Sequence, residues 1–158
     1  MGNHESKDKI RKLDIKDVGT ANQVFALQKK SYRVEAELIG TDKIPPLMES
    51  LDEFIACGET FFGFYENEEI VAAISFKRED EVVDIHRMMV HPNHFRKGLA
   101  RQLLIYLVKH ELDAQKLIVS TGSANTPALN LYEKLGFKKA GETVVAEGLS
   151  LTHFCKSL

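Results

Sequence analysis

The sequence predicts an α+β fold: a mixed, mostly antiparallel sheet flanked by helices, in the order βααβββαβαββ. Three observations carry that prediction. Three β-compatible runs between Thr60 and Val90 are separated by two short charged turns, Glu66-Asn67-Glu68-Glu69 and Arg78–Glu81, the pattern of an antiparallel meander. From Gly98 to Asp113, the residues Leu99, Leu103, Leu104, Tyr106, Leu107 and Val108 form a broad apolar stripe at helical spacing. A short β-branched run, Leu117–Ser120, follows that helix, so the strands on either side of it are joined by a crossover and lie parallel.

The elements follow in order. The polar start, residues 1–7, is expected to fray. Ile10, Leu13 and Ile15 predict a first strand. Val24, Phe25, Leu27, Tyr32 and Ala36 predict a helix over Gly19–Leu38, stopped by Gly40 and Pro45-Pro46. Leu47–Cys57 reads as a second helix, with Leu47, Leu51, Phe54 and Ile55 on one side. The three meander strands are Thr60–Tyr65, Ile70–Lys77 and Glu81–Val90. After the long helix and the Leu117–Ser120 strand, Pro127–Leu135 reads as a helix with Pro in its first turn and Gly136 past its end. Two closing strands are expected, one from Phe137 through Val144 and Val145, the other Ser150–Lys156.

With 158 residues and neither repeat nor linker, residues 1–158 read as a single domain with a sizeable core. The net charge of −2 argues against a general polyanion-binding surface, so no nucleic-acid partner is expected. No apolar run is long enough to span a bilayer, so no membrane partner is expected. Cys57 and Cys155 lie far apart and outside any metal-ligand spacing; they read as ordinary thiols of a reducing, cytoplasmic setting, and no metal is expected.

The chemistry gathers at two junctions. The first is Val90-His91-Pro92-Asn93-His94-Phe95-Arg96-Lys97-Gly98-Leu99-Ala100-Arg101, a turn between a strand and a helix. The first backbone N–H groups of a helix have no intrahelical partner, and its dipole is positive there. Gly98 lets backbone approach a phosphate closely, and Ala100 leaves the next turn uncrowded. The second junction runs from Ser120 to Phe137 and includes Asn125, Pro127, Ala128, Tyr132, Lys134 and the pair Gly136-Phe137.

Together these stretches resemble the two acetyl-CoA motifs of the GNAT superfamily of N-acetyltransferases. The resemblance covers roughly Glu81–Phe137. One departure is visible. Three residues before Gly98, where Gln or Arg is usual, stands Phe95; the basic side chain comes one place later, at Arg96. The backbone amides do most of the holding in such a loop, so the departure touches side-chain roles rather than the phosphate site.

The resemblance implies that the backbone of Met88, Met89 and Val90 pairs with the pantetheine arm of acetyl-CoA. It implies that amides of Phe95, Arg96, Lys97, Gly98, Leu99, Ala100 and Arg101 hold the pyrophosphate. Asn125 would hydrogen-bond the pantetheine, and Tyr132 would protonate the leaving thiolate. A backbone N–H near Met88 or Met89 would stabilise the oxyanion. The residues alone leave alternatives open: Tyr132 shares an apolar helix face with Ala128, Leu131 and Leu135, as a core tyrosine would, and Asn125 suits a helix N-cap.

An amine at neutral pH must lose a proton before it attacks a thioester. On a regular strand Asp84, His86 and Met88 share one face, which makes His86 and Asp84 neighbours and both candidate bases. The first two helices would wall the acceptor pocket. They carry Tyr32, Glu35, Glu37, Asp42, Glu49, Asp52 and Glu53, an acidic set that suits a cationic amine, with Tyr32 and Glu35 as the preferred contacts. Tyr32 equally suits the core. The expected function is acetyl transfer from acetyl-CoA to an amine acceptor, by a monomer or homodimer. The competing reading is a non-catalytic acyl-CoA-binding module.

Overall fold

The computed structural model describes residues 9–158; the expected fraying of residues 1–7 lies outside them. Seven strands form one sheet in the order β1-β2-β3-β4-β5-β7-β6. They are β1 (Ile10–Leu13), β2 (Thr60–Glu66), β3 (Glu69–Glu79), β4 (Val82–Val90), β5 (Lys116–Gly122), β6 (Lys138–Ala146) and β7 (Leu149–Ser157). Every neighbouring pair is antiparallel except β4 and β5, which run parallel as the crossover requires.

Among the described residues five α-helices flank the sheet: α1 (Val18–Ile39), α2 (Pro45–Met48), α3 (Leu51–Ile55), α4 (Leu99–His110) and α5 (Thr126–Lys134). The expected second helix is therefore two short ones. Glu49 leaves the helical region, and Ser50 starts α3 with a reciprocal cap: its hydroxyl accepts from the Glu53 N–H while the Glu53 carboxylate accepts from the Ser50 N–H. Helix α1 begins at Asp17, which accepts from Thr20 N–H, and ends at Gly40 in the left-handed conformation.

The sheet divides two cores. On one side Leu99, Leu103, Leu104 and Leu107 of α4 and Tyr132 of α5 pack on Phe62, Ile74, Phe76, Val83 and Ile85. On the other, Val24, Leu27, Tyr32 and Ala36 of α1 and Phe54 of α3 pack on Phe61, Ala73 and Met89. Burying each large side chain contributes about 1.5–3 kcal/mol.

The two core memberships reveal a break in β4. Val83 and Ile85 face the α4 side, yet the odd-numbered Met89 faces the α1 side, and Met88 and Val90 pack on the α4 side. The cause is a β-bulge: Phe76 faces Ile85 and Ser75 faces Arg87, so His86 has no partner on β3. The expected regular parity is thus overturned. Asp84 and His86 stay together, but Met88 turns to the opposite face.

Phe54 is fully buried, 5.6 Å from the ring of Phe25 and 5.4 Å from that of Phe61. Phe54→Ala should destabilise the protein by about 3–5 kcal/mol, read from urea unfolding midpoints. A loss below about 1 kcal/mol would contradict this packing.

Candidate active site

The site begins where β4 leaves β5. Their parallel pairing covers Val82–Ile85 against Lys116–Val119 and stops there. Beyond it, Ser120, Thr121 and Gly122 of β5 pair only with β7, and Met88–Val90 pair only with β3. A cleft opens between two strands of one continuous sheet. The His91 N–H donates to Val71 of β3, so alternation turns the Met89 N–H toward β3 as well. The Met88 and Val90 N–H groups face the cleft instead. Of the two expected oxyanion donors, Met88 has the right direction and Met89 does not.

Helix α1 lies across this cleft on one side. Tyr32 Oη accepts from the Met88 N–H at 3.4 Å, and Ser31 Oγ accepts from the Val90 N–H at 3.1 Å. One turn on, Glu35 Oε1 accepts from Asn125 Nδ2 at 3.0 Å. Further along, Ile39 packs so closely on Gly122 that a Cβ there would collide with it. Asn125 also caps α5, its Oδ1 accepting from the Ala128 N–H at 3.3 Å. The cap suggested by the sequence is present, and it leaves the amide's other end to hold Glu35.

Tyr132 projects from α5 toward the same place. Its ring is buried against Phe137 and Phe154, yet among the described residues no protein group hydrogen-bonds its hydroxyl. A core tyrosine would have its hydroxyl tied off. Burial and the Glu35 charge both push the Tyr132 phenol well above its usual range, so it stays a proton donor at neutral pH. Burial, then Glu35, does the same to Tyr32. Burial raises the Glu35 carboxyl, and the Asn125 hydrogen bond only partly opposes this.

The loop before α4 is built for an anion. No side chain caps α4, and Gly98 stands at its N-cap in the left-handed conformation (φ 73°). The Gln102 N–H is bonded to the Gly98 carbonyl, so the donors before it are left over. Arg96 also takes a positive φ, 66°, which bends successive amides into a concave nest. Phe95 is a correction: its N–H donates to the Pro92 carbonyl at 3.4 Å, so it is not among the free donors. Arg96, Lys97, Gly98, Leu99, Ala100 and Arg101 remain.

His86 and Asp84 meet on the α1 side, with His86 Nε2 3.4 Å from Asp84 Oδ2. Nothing in the sequence marked their neighbour, Glu59, whose Oε2 lies 3.4 Å from His86 Nδ1. Nor did it reveal the buried Arg87, which binds both Glu49 and Glu59. The usable clue was His86-Arg87 itself: two polar residues in succession cannot both keep the alternation of a regular strand.

The expected acidic rim is only partly present. Glu49 is spent on Arg87 and Gln28, and Glu53 on the cap of α3. An open groove of about 830 Å³ along α1 and α2 is lined by Lys29 and Arg33 as well as Glu37 and Asp42, so its charge is mixed. Among the described residues no cluster of His, Cys, Asp and Glu could hold a metal ion, and no helix is long and apolar enough to cross a membrane.

A split sheet with a nest of amides beside it is the arrangement that the resemblance to the GNAT acetyltransferases implies, and sequence comparison agrees. A profile described as Acetyltransferase (GNAT) family matches residues 22–137, and the chain belongs to that family. It is 39% identical over 145 residues to the UPF0157 protein YqkA of Bacillus subtilis, covering 92% of this chain and 42% of YqkA. The chain thus spans less than half the length of that relative. It is 30% identical over 134 residues to a streptothricin acetyltransferase of Escherichia coli, covering 81% of this chain and 70% of that one. The ribosomal-protein-S18-alanine N-acetyltransferase of Escherichia coli has the same fold, with a TM-score of 0.74 at 18% identity over 94% of this chain and 92% of its own. A Bacillus anthracis protein, described as a candidate streptothricin acetyltransferase and solved with acetyl coenzyme A, superposes at a TM-score of 0.59 and 14% identity, covering 63% and 62%. Acetyl-CoA is the co-substrate of this family.

Glu35 supplies a stability test. Its folded pKa lies above the unfolded one, so its contribution is fully present below the unfolded pKa and is lost as pH rises through the folded value. Glu35→Gln mimics the protonated acid and can still accept from Asn125. It should raise Tm at pH 7 and leave it unchanged near pH 4. A variant less stable at pH 7 would contradict the burial of this charge.

Proposed function

We propose that the protein transfers the acetyl group of acetyl-CoA to a primary amine of a small molecule or peptide, by direct attack within a ternary complex. The observation that carries this reading is the Tyr132 hydroxyl, which has no protein partner among the described residues and reaches solvent beside the unpaired stretch of β4 although the ring is buried. A pantetheine carbonyl would replace the Ser31 hydroxyl on the Val90 N–H and the acetyl carbonyl the Tyr32 hydroxyl on the Met88 N–H, making the donor an extra strand in the cleft. The amides of residues 96–101 and the helix dipole would hold the pyrophosphate, with Arg96 and Arg101 adding charge. The second Asn125 amide proton is available to the pantetheine.

The amine would enter from the α1 side, its ammonium held between Glu35 and Tyr32. The pair His86 and Asp84 supplies the base. The bound ammonium first gives one proton to water; the amine lone pair then forms the C–N bond to the thioester carbonyl carbon, and the oxyanion is met by the Met88 N–H. One amine proton passes to His86. The C–S bond breaks with its electron pair on sulfur, and Tyr132 protonates that thiolate. Water then returns the proton from His86 to the tyrosinate. No covalent enzyme intermediate is needed. Burial raises the Cys57 thiol, which makes it a poor nucleophile.

Release of CoA thiol from acetyl-CoA over a panel of amines, polyamines, aminoglycosides, amino acids and peptides tests the function. Turnover with at least one acceptor is expected; acetyl-CoA binding without turnover across the panel favours the binding module. Tyr132→Phe should lower kcat about 100-fold with acetyl-CoA affinity within threefold, the scale of general-acid catalysis. Unchanged turnover removes Tyr132 from the mechanism. Glu35→Gln should raise KM for the amine about tenfold, a loss of about 1.4 kcal/mol.

A further inference from the structure

His86 sits on a bulge, and a bulge residue needs something besides the sheet to fix its direction. Glu59, in the turn leading into β2, has a side chain only 6% exposed. Its Oε1 accepts from Ser75 Oγ at 2.6 Å and from Arg87 Nε at 2.8 Å, and its Oε2 accepts from Arg87 Nη2 at 3.1 Å. Burial alone would raise this carboxyl, but the Arg87 and Ser75 hydrogen bonds outweigh it and keep Glu59 ionised. Three donors thus pin the group whose Oε2 lies 3.4 Å from His86 Nδ1.

Charge points the same way. Arg87 is shared between two carboxylates, Glu59 and Glu49, and its remaining hydrogen bond goes to the neutral Gln28. One guanidinium facing two carboxylates leaves the cluster one positive charge short. A His86 N–H aimed at Glu59 Oε2 meets that excess negative charge. Asp84, on the other ring nitrogen, is half exposed and screened by water, and Cys57 lies near Glu59 as a neutral thiol.

We propose that Glu59 is a positioning residue of the acetyl transfer: anchored by Arg87 and Ser75, it fixes the His86 ring through Nδ1 and leaves Nε2 to receive the proton of the acceptor amine. The arrangement parallels the buried carboxylate that orients the histidine of hydrolase triads. It makes His86 the base and leaves Asp84 a partner at the rim. The proposal rests on the cleft being an amine acetylation site, but its first test does not.

That test is the tautomer of neutral His86 in the unaltered protein, read from imidazole 15N shifts. The Nδ1–H form is expected, donating to Glu59, and it should persist in Asp84→Asn. A dominant Nε2–H form overturns the proposal whether or not any amine is acetylated. The second test is Glu59→Gln, with far-UV circular dichroism to check folding. The share of neutral His86 in the Nδ1–H form should fall, and kcat should fall about tenfold with KM for the amine within twofold. A merely structural Glu59 would lower the amount of folded protein and leave the tautomer and the kcat of the folded fraction in place. If the tautomer changes and kcat does not, His86 is not the base and the proposal fails.

Discussion

Everything at the site depends on one broken set of hydrogen bonds: the parallel ladder between β4 and β5 that ends at Ile85 and Val119. Unpaired backbone N–H groups inside a protein are costly, so a fold that leaves them must give them other partners. Here the Met88 and Val90 N–H groups rest on two α1 hydroxyls. A hydroxyl is a weaker and more movable partner than a neighbouring strand. The same donors can therefore be handed to a ligand with carbonyls at strand-like spacing. The split stays open because each strand is fully engaged on its far side, β4 with β3 and β5 with β7.

The bulge at His86 makes the cleft two-sided. Without it, Arg87 and Met89 would face α4. With it, Arg87 turns into the α1 side and is clamped by Glu49 and Glu59 over the Phe54 ring, 5.1 Å from its centroid. That guanidinium ties the α2–α3 link and the entry to β2 onto β4. Removing one partner of such a buried pair typically costs 3–5 kcal/mol. The rigidity matters because α1 carries Tyr32 and Glu35, which must hold their places opposite Tyr132.

Much of this was readable in the sequence, and for physical reasons. Leu99, Leu103, Leu104 and Leu107 repeat at helical spacing, and all four are buried. Gly98 before an uncapped helix and Asn125 before Pro127 mark backbone conformations that few other residues supply. Other features were missed although a local sign existed: Ser50 and Glu53 are spaced as a capping box, which should have broken the expected long helix. The Arg87 cluster was not legible. Its members come from segments 28 and 38 residues away, and each reads alone as a surface charge. Glu59 was hidden for the same reason, since its value lies in what the folded chain brings to it.

The central claim is that the gap between β4 and β5 is the donor slot. A crystal structure of the protein with acetyl-CoA tests it most directly. The account predicts pantetheine in the gap, the acetyl carbonyl oxygen within about 3.2 Å of the Met88 N–H, a pantetheine carbonyl oxygen as close to the Val90 N–H, and the Tyr32 and Ser31 hydroxyls displaced from them. The CoA sulfur should lie beside the Tyr132 hydroxyl. CoA bound elsewhere, with those two hydroxyls still on β4, would contradict it.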